Sequence, residues 1–265
     1  MPGKGLLAPH RLAYEVMKKQ IEQDGINVVN NEQVAATQKK KNIRAAQSFL
    51  WSEIPLTPGS STYQFNVKNG VPNIGNAGIV PGEVRLKDQD VFFTYALGFY
   101  LRVLVSGSNQ TNWQNFLFTF PSAVFGGLTP GPAVWNQEAL TGLWTEGALS
   151  VKTNGEDLTP RWDMGQHLYI PQTQAPVAVP FPTQSYLNWF DEVDLSENGL
   201  VVTEPNWIIN GGNDNNYTVT YPQNYGSFAV PDPLTTNWRI SLVMKWQGFL
   251  AQNASSIMNN QPAKI

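Results

Sequence analysis

The chain has 265 residues, of which 42% are hydrophobic, 12% aromatic and 14% charged, with a formal net charge of −3. That length and apolar content suffice for a large buried core, which excludes intrinsic disorder. With no cysteine and only His10 and His167, thiol nucleophiles, disulfide frameworks, cysteine-ligated clusters and His-rich metal centres are excluded as well.

The charge is unevenly spread. Residues 1–50 hold eight Lys/Arg against four Asp/Glu, a net +4, which leaves −7 for the rest, and all nine tryptophans follow residue 50. A boundary near residue 50 therefore separates a basic arm, 1–50, from the body. Within the arm Leu12, Ala13, Val16, Met17 and Ile21 recur at helical spacing between Pro9 and Gly25, which predicts a helix over 10–24. A second helix is expected from Asn30 or Asn31 to Leu50, interrupted by Lys39-Lys40-Lys41. Only Leu6-Leu7-Ala8 is apolar near the start, shorter than a signal-peptide core, so none is expected.

After residue 50 the period changes from 3.6 to 2, the signature of strands. Tyr63, Phe65 and Val67 alternate with polar residues and stop at Asn69-Gly70. From Val91 to Val105 every second residue is apolar, placing Val91, Phe93, Tyr95, Leu97, Phe99, Leu101, Val103 and Val105 on one face, with a bulge expected at Gly98. This stretch is too short, and too interrupted by Gly98 and Arg102, for a membrane span. Later strands are expected around Leu149 and Val151, Leu168 and Ile170, Tyr217 to Tyr221, and Ile240 to Trp246. Four Asn-Gly pairs, at 69–70, 154–155, 198–199 and 210–211, supply hairpin turns. The prolines 171, 176, 180 and 182 read as a linker. The expected fold is all-β: two tandem jelly-roll sandwiches, 51–175 and 176–265 with a C-terminal tail, behind an N-terminal α-helical arm.

Catalytic signatures fail. Gly70, Gly75 and Gly78 have the wrong spacing for a dinucleotide loop, and neither a P-loop nor a nucleophile elbow occurs. Asp194, Ser196, Asn198 and Gly199 match positions 1, 3, 5 and 6 of a calcium loop, but Pro205 stands where a bidentate Glu is required; Asp191, Asp194 and Glu197 are the calcium candidates that remain. Glu83, Asp88, Asp90, Glu138, Glu146, Glu156 and Asp157 contain the carboxylates from which a glycosidase pair would be drawn. His167, in an alternating run, reads as a hydrogen-bonded structural residue, and Trp51, Trp113, Trp144, Trp162 and Trp246 as core. Arg11, Lys18, Lys19, Lys39, Lys40, Lys41 and Arg44 form the main functional feature, a basic surface for lipid headgroups or nucleic-acid phosphates.

The run Gly82-Glu83-Val84-Arg85-Leu86, with Asp90-Val91-Phe92-Phe93 and Leu97-Gly98-Phe99, resembles the first jelly roll of small double jelly-roll major capsid proteins of tailless icosahedral bacteriophages with an internal membrane. The stretches 143–149 and 168–174 and the closing strand 238–250 extend the resemblance over 51–255. It implies a non-enzymatic virion protein, a homotrimer forming pseudo-hexagonal capsomers. It further implies contacts with neighbouring capsomers and with minor capsid or penton proteins, the arm facing the internal lipid membrane, and no resident cofactor. The alternatives are a carbohydrate-binding or glycan-cleaving tandem jelly roll and a minor vertex or spike protein.

Overall fold

The computed structural model describes residues 11, 12, 14, 15, 17–19, 44–56, 60–71, 83–106, 113–119, 137–169, 199–222 and 238–255. Helical residues within 11–19 form α1. The strands are β1 (Arg44–Pro55), β2 (Thr62–Asn66), β3 (Val91–Ser106), β4 (Trp113–Phe118), β5 (Ala148–Thr153), β6 (Glu156–Asp163), β7 (Leu200–Asn210), β8 (Asn215–Thr220) and β9 (Trp238–Gln252); helix α2 spans Gln137–Thr145 and a 3-10 turn Met164–His167.

The described body is mostly β-sheet, consistent with the expected all-β class, and every pairing between its named strands is antiparallel. One sheet runs β1-β9-β3, and β3's other edge is shared: Val91–Gly98 pairs β7 and Leu101–Ser106 pairs β4. The second sheet runs β2-β8-β5-β6. The strands β7, β8 and β9, expected in a second sandwich beginning at 176, pair instead with β3, with β2 and β5, and with β1 and β3. The described strands therefore form one sandwich and do not divide at 175/176 into two. Burial explains this: Leu242, Met244 and Trp246 of β9 are covered by the opposite sheet, in one core with Phe65, Leu97, Phe99, Leu149, Val151, Tyr217 and Val219. Three late strands alone could not cover both faces of such a core.

The end of the arm is also corrected. Residues 44–50, expected as helix, are strand, because Ala45 and Ala46 pair with Ala251 and Leu250, and tertiary pairing overrides the helix propensity of alanine. The earlier part of that expected helix, 31–43, lies outside the described residues.

In β3 the register against both β7 and β9 shifts between Thr94 and Ala96, so the bulge lies at Tyr95 and not at Gly98. The extra residue inverts the alternation. Leu97, Phe99 and Leu101 enter the core between the sheets, whereas Val91, Phe93 and Tyr95 join Met17, Phe249, Ala251 and Ala254 in a second cluster on the outer face. Gly248, opposite Thr94, allows the strands to close at this point. A Cβ there would press on the Phe93 carbonyl and stand 2.7 Å from a Phe92 ring carbon.

Asn154 and Gly155 take φ of 50° and 82° and turn β5 into β6, the geometry that Asn-Gly favours. Asn210-Gly211 works differently. Its loop is held by Asn215 Nδ2 donating to the Asn210 and Asn213 carbonyls at 2.8 and 3.1 Å, and Gly211 is required because its backbone abuts the Lys87 carbonyl.

Candidate functional site

The arm's helix is seated on the outer face of the five-stranded sheet. Met17 is 1% exposed among Val91, Phe93, Tyr95, Phe249, Ala251 and Ala254, and the Tyr14 ring lies 5.4 Å from that of Phe249. With Met17 turned inward, Arg11, Lys18 and Lys19 are left exposed, accompanied by Glu15. Arg44, also exposed, opens β1 opposite Gln252, next to the Ala251 of the socket. Four of the seven expected basic residues are thus presented to solvent; Lys39, Lys40 and Lys41 lie outside the described residues.

Further along the same face a buried charge cluster was not foreseen. Arg102, on β3, pairs with Glu53 of β1 across the intervening β9, and its guanidinium sits 5.9 Å from the centre of the Trp51 ring. Glu53 is 1% exposed, and its backbone N–H donates to Glu83 Oε1 at 2.8 Å. Arg85 Nη2 donates to both Glu83 oxygens at 2.9 Å. The 83–86 segment also exchanges backbone bonds with Trp51 at 2.8 and 3.0 Å, while Leu86 bonds Val67 and Asn69 at 2.7 and 2.8 Å. It joins the outer edge of β1 to the chain leaving β2, so Glu83 and Arg85, quoted for the capsid resemblance, staple one sheet to the other. A sequence signal existed: an arginine in an apolar strand must find a partner when buried.

The other carboxylates are spoken for or solvated. Asp88 pairs Lys68 at 3.6 Å, Asp157 pairs Lys152 at 3.2 Å with both side chains half exposed, and Asp90 Oδ1 accepts from the Asn253 N–H at 3.0 Å. Glu156 is exposed, and the Glu138 side chain, like Asp191, Asp194 and Glu197, lies outside the described residues. A shallow cleft of about 450 Å³ is lined by Thr145, Glu146, Gly147, Arg161, Asp163 and Pro222, with no aromatic ring among them to stack on a sugar. Among the described residues no group of three His, Cys, Asp or Glu side chains converges as a metal site.

His167 is fully buried. Its Nε2 accepts from Trp162 Nε1 at 3.0 Å, which leaves Nδ1 to carry the proton toward the Gly199 carbonyl, 3.1 Å away. Burial pushes its pKa down to about 4, opposed by the Gly199 bond and the Asp163 charge. With both nitrogens engaged inside the protein, it positions Trp162 and the residue preceding β7. The aromatic rings run on from there: Trp162 to Trp207 at 5.4 Å, Trp207 to Tyr217 at 6.2 Å and Tyr217 to Trp246 at 4.9 Å. The tryptophans are core here, Trp144 and Trp246 completely, and Trp207 belongs with them although its period gave no hint. Trp51 is half-buried beside Arg102, and the Trp113 side chain lies outside the described residues.

No protein-family model matches the chain, and no curated protein matches it.

Proposed function

We propose that the protein is a structural subunit of an icosahedral viral shell, folded as one jelly roll and acting by self-assembly. The observation that carries this reading is the strand order. β1-β9-β3-β7 faces β2-β8-β5-β6, with β4 beside β3; the chain crosses between the sheets at every step except β3 to β4 and β5 to β6, the order of the double Greek key of a jelly roll, and a basic segment feeds β1. Jelly rolls also serve as ligand-binding barrels. Those need space between the sheets, and this interior is filled by Trp144, Trp246, Phe65, Phe92 and Phe99.

The subunit we propose is trimeric, contacts neighbouring capsomers and penton or minor capsid proteins, and sits in the virion. A trimer of single jelly rolls has three sandwiches, so its outline is threefold; the pseudo-hexagonal outline of a double jelly-roll trimer is not part of this reading. Arg11, Lys18, Lys19 and Arg44, with Lys39, Lys40 and Lys41, face inward, where each cation near an anionic lipid surface contributes about 1 kcal/mol.

Light scattering on the purified full chain tests the reading. A species of three times 29.4 kDa, or closed multiples of it, is expected. A monomer at micromolar concentration overturns it, and a pentamer moves the assignment to a vertex protein.

A further inference from the structure

The edges of the two sheets are defended unequally. β6, at the rim of the four-stranded sheet, carries Pro160, Glu156, Asp157, Arg161 and Asp163, and its pairing with β5 is broken by two register shifts. Proline, charge and bulges are the usual means of keeping a strand edge from recruiting another chain. β1, at the rim of the five-stranded sheet, has none of them from Ala45 to Leu50, and its register with β9 is unbroken over its whole length.

The direction of its free backbone groups follows from that register. Trp51 exchanges both of its backbone bonds with Val84, so its N–H and C=O point away from β9, whereas the Leu56 N–H points back to Ile240. Alternation along an antiparallel strand then aims the N–H and C=O of Ala45, Gln47 and Phe49 outward as well. Among the described residues nothing bonds to them there, and Arg44–Gln47 and Phe49 are exposed.

We infer that β1 pairs with β1 of a second copy of this chain about a twofold axis at Gln47, extending the five-stranded sheet continuously across two subunits. An antiparallel pairing with Gln47 opposite Gln47 places Ala45 opposite Phe49 and Phe49 opposite Ala45. It therefore uses all three outward-facing residues of each copy, with two backbone bonds in each hydrogen-bonded pair. A register moved two residues toward the C-terminus would oppose Ala45 to Trp51, whose bonds are already taken by Val84. The side chains agree with the central register. The 43% exposed Phe49, flanked by the Lys245 ammonium 5.7 Å from its ring centre, covers the small Ala45 of the other copy. The two Arg44 side chains end at opposite ends of the pair, six residues or about 20 Å apart. The twofold makes the contact self-complementary, so it joins two copies and closes. In a shell of trimers it lies between capsomers; the pairing itself is argued from the strand and does not depend on the shell reading.

Because the chain has no cysteine, single cysteines read the register directly. Gln47→Cys places two thiols on Cα atoms about 5.5 Å apart, within disulfide reach. Ala45→Cys or Phe49→Cys places like thiols four residues apart, roughly 14 Å. Under mild oxidation the full-length Gln47→Cys protein is expected to form a covalent dimer at least tenfold faster than either other variant alone. A mixture of Ala45→Cys and Phe49→Cys proteins should cross-link as a heterodimer. Equal rates at 45, 47 and 49, or no dimer at 47, overturn the pairing. Either result is read from the covalent dimer itself, whether or not the protein builds shells.

Discussion

Replacing Gly248 by alanine tests whether the bulge and the glycine opposite it form one unit. The new methyl carbon would stand 2.7 Å from a Phe92 ring carbon and 2.8 Å from the Phe93 carbonyl carbon, where ordinary contact begins at 3.4 Å. Something must move by about 0.7 Å or more, and overpacking of this kind typically costs 1–3 kcal/mol, more where backbone is displaced. Phe93 cannot retreat in the sheet plane, because it is paired with Phe249 on one side and Ile208 on the other. Gly248→Ala should therefore cost about 3 kcal/mol or more, a fall in melting temperature of about 6–12 °C for a domain of this size. Circular-dichroism melts and urea titrations measure it. Gly70→Ala is the control: φ is +79° there and the space around it is open, so only about 1 kcal/mol of backbone strain is expected. A melting shift below about 2 °C for Gly248→Ala, or a Gly70→Ala shift that exceeds the Gly248→Ala shift, would refute the assignment of the bulge.

Three further outcomes follow from the same geometry. His167 is neutral in the fold down to about pH 4, whereas the unfolded chain takes up its proton near 6.5. Stability should thus fall on acidification between those values, by on the order of 3 kcal/mol, and His167→Gln should flatten that part of the pH–stability curve; identical acid profiles for parent and variant would contradict it. Arg102→Ala, which leaves Glu53 charged and buried, should cost about 3–5 kcal/mol, whereas Arg102→Met combined with Glu53→Gln should cost much less; additive urea-midpoint losses in a double-mutant cycle would argue against the pair. Met17→Ala should weaken the seating of α1 by about 2 kcal/mol, raising trypsin cleavage at Arg11, Lys18 and Lys19 roughly 30-fold with little change in the global melt; parallel changes in both would mean that the helix opens only with the sandwich.

Local chemistry was legible wherever it decides structure alone. The Asn154-Gly155 turn, the alternation of Tyr63 with Phe65, and the hydrogen-bonded state of His167 all follow from residues close to one another in the chain. The failures share a different origin. Tyr95 inserts itself into β3 through its pairing with strands more than 100 residues later, and no period in Val91–Val105 can reveal on which side the alternation breaks. Ala45 and Ala46 read as helix until β9 claims them. The proline-rich stretch 171–182 looked like a boundary between bodies, yet the strands after it complete the sheets begun before it. The exposure of Arg11, Lys18, Lys19 and Arg44 follows from their charge alone, while Glu53 and Arg102, 49 residues apart, become partners only once β9 separates their strands.

The central place of β9 sets a timetable for the ribosome. The last described strand, β9, lies between β1 and β3, so until Trp238–Gln252 has been synthesised β1 has no strand to pair with and β3 keeps one edge open, its other edge being paired with β4 and β7. The hairpins β3–β4 and β5–β6 can pair as they are made, but the larger sheet is completed only with β9. Nascent chains must wait with two apolar strand edges unpaired, which makes their yield sensitive to chaperone supply and to premature termination. A stop codon anywhere before residue 238 would release a chain that cannot close its larger sheet.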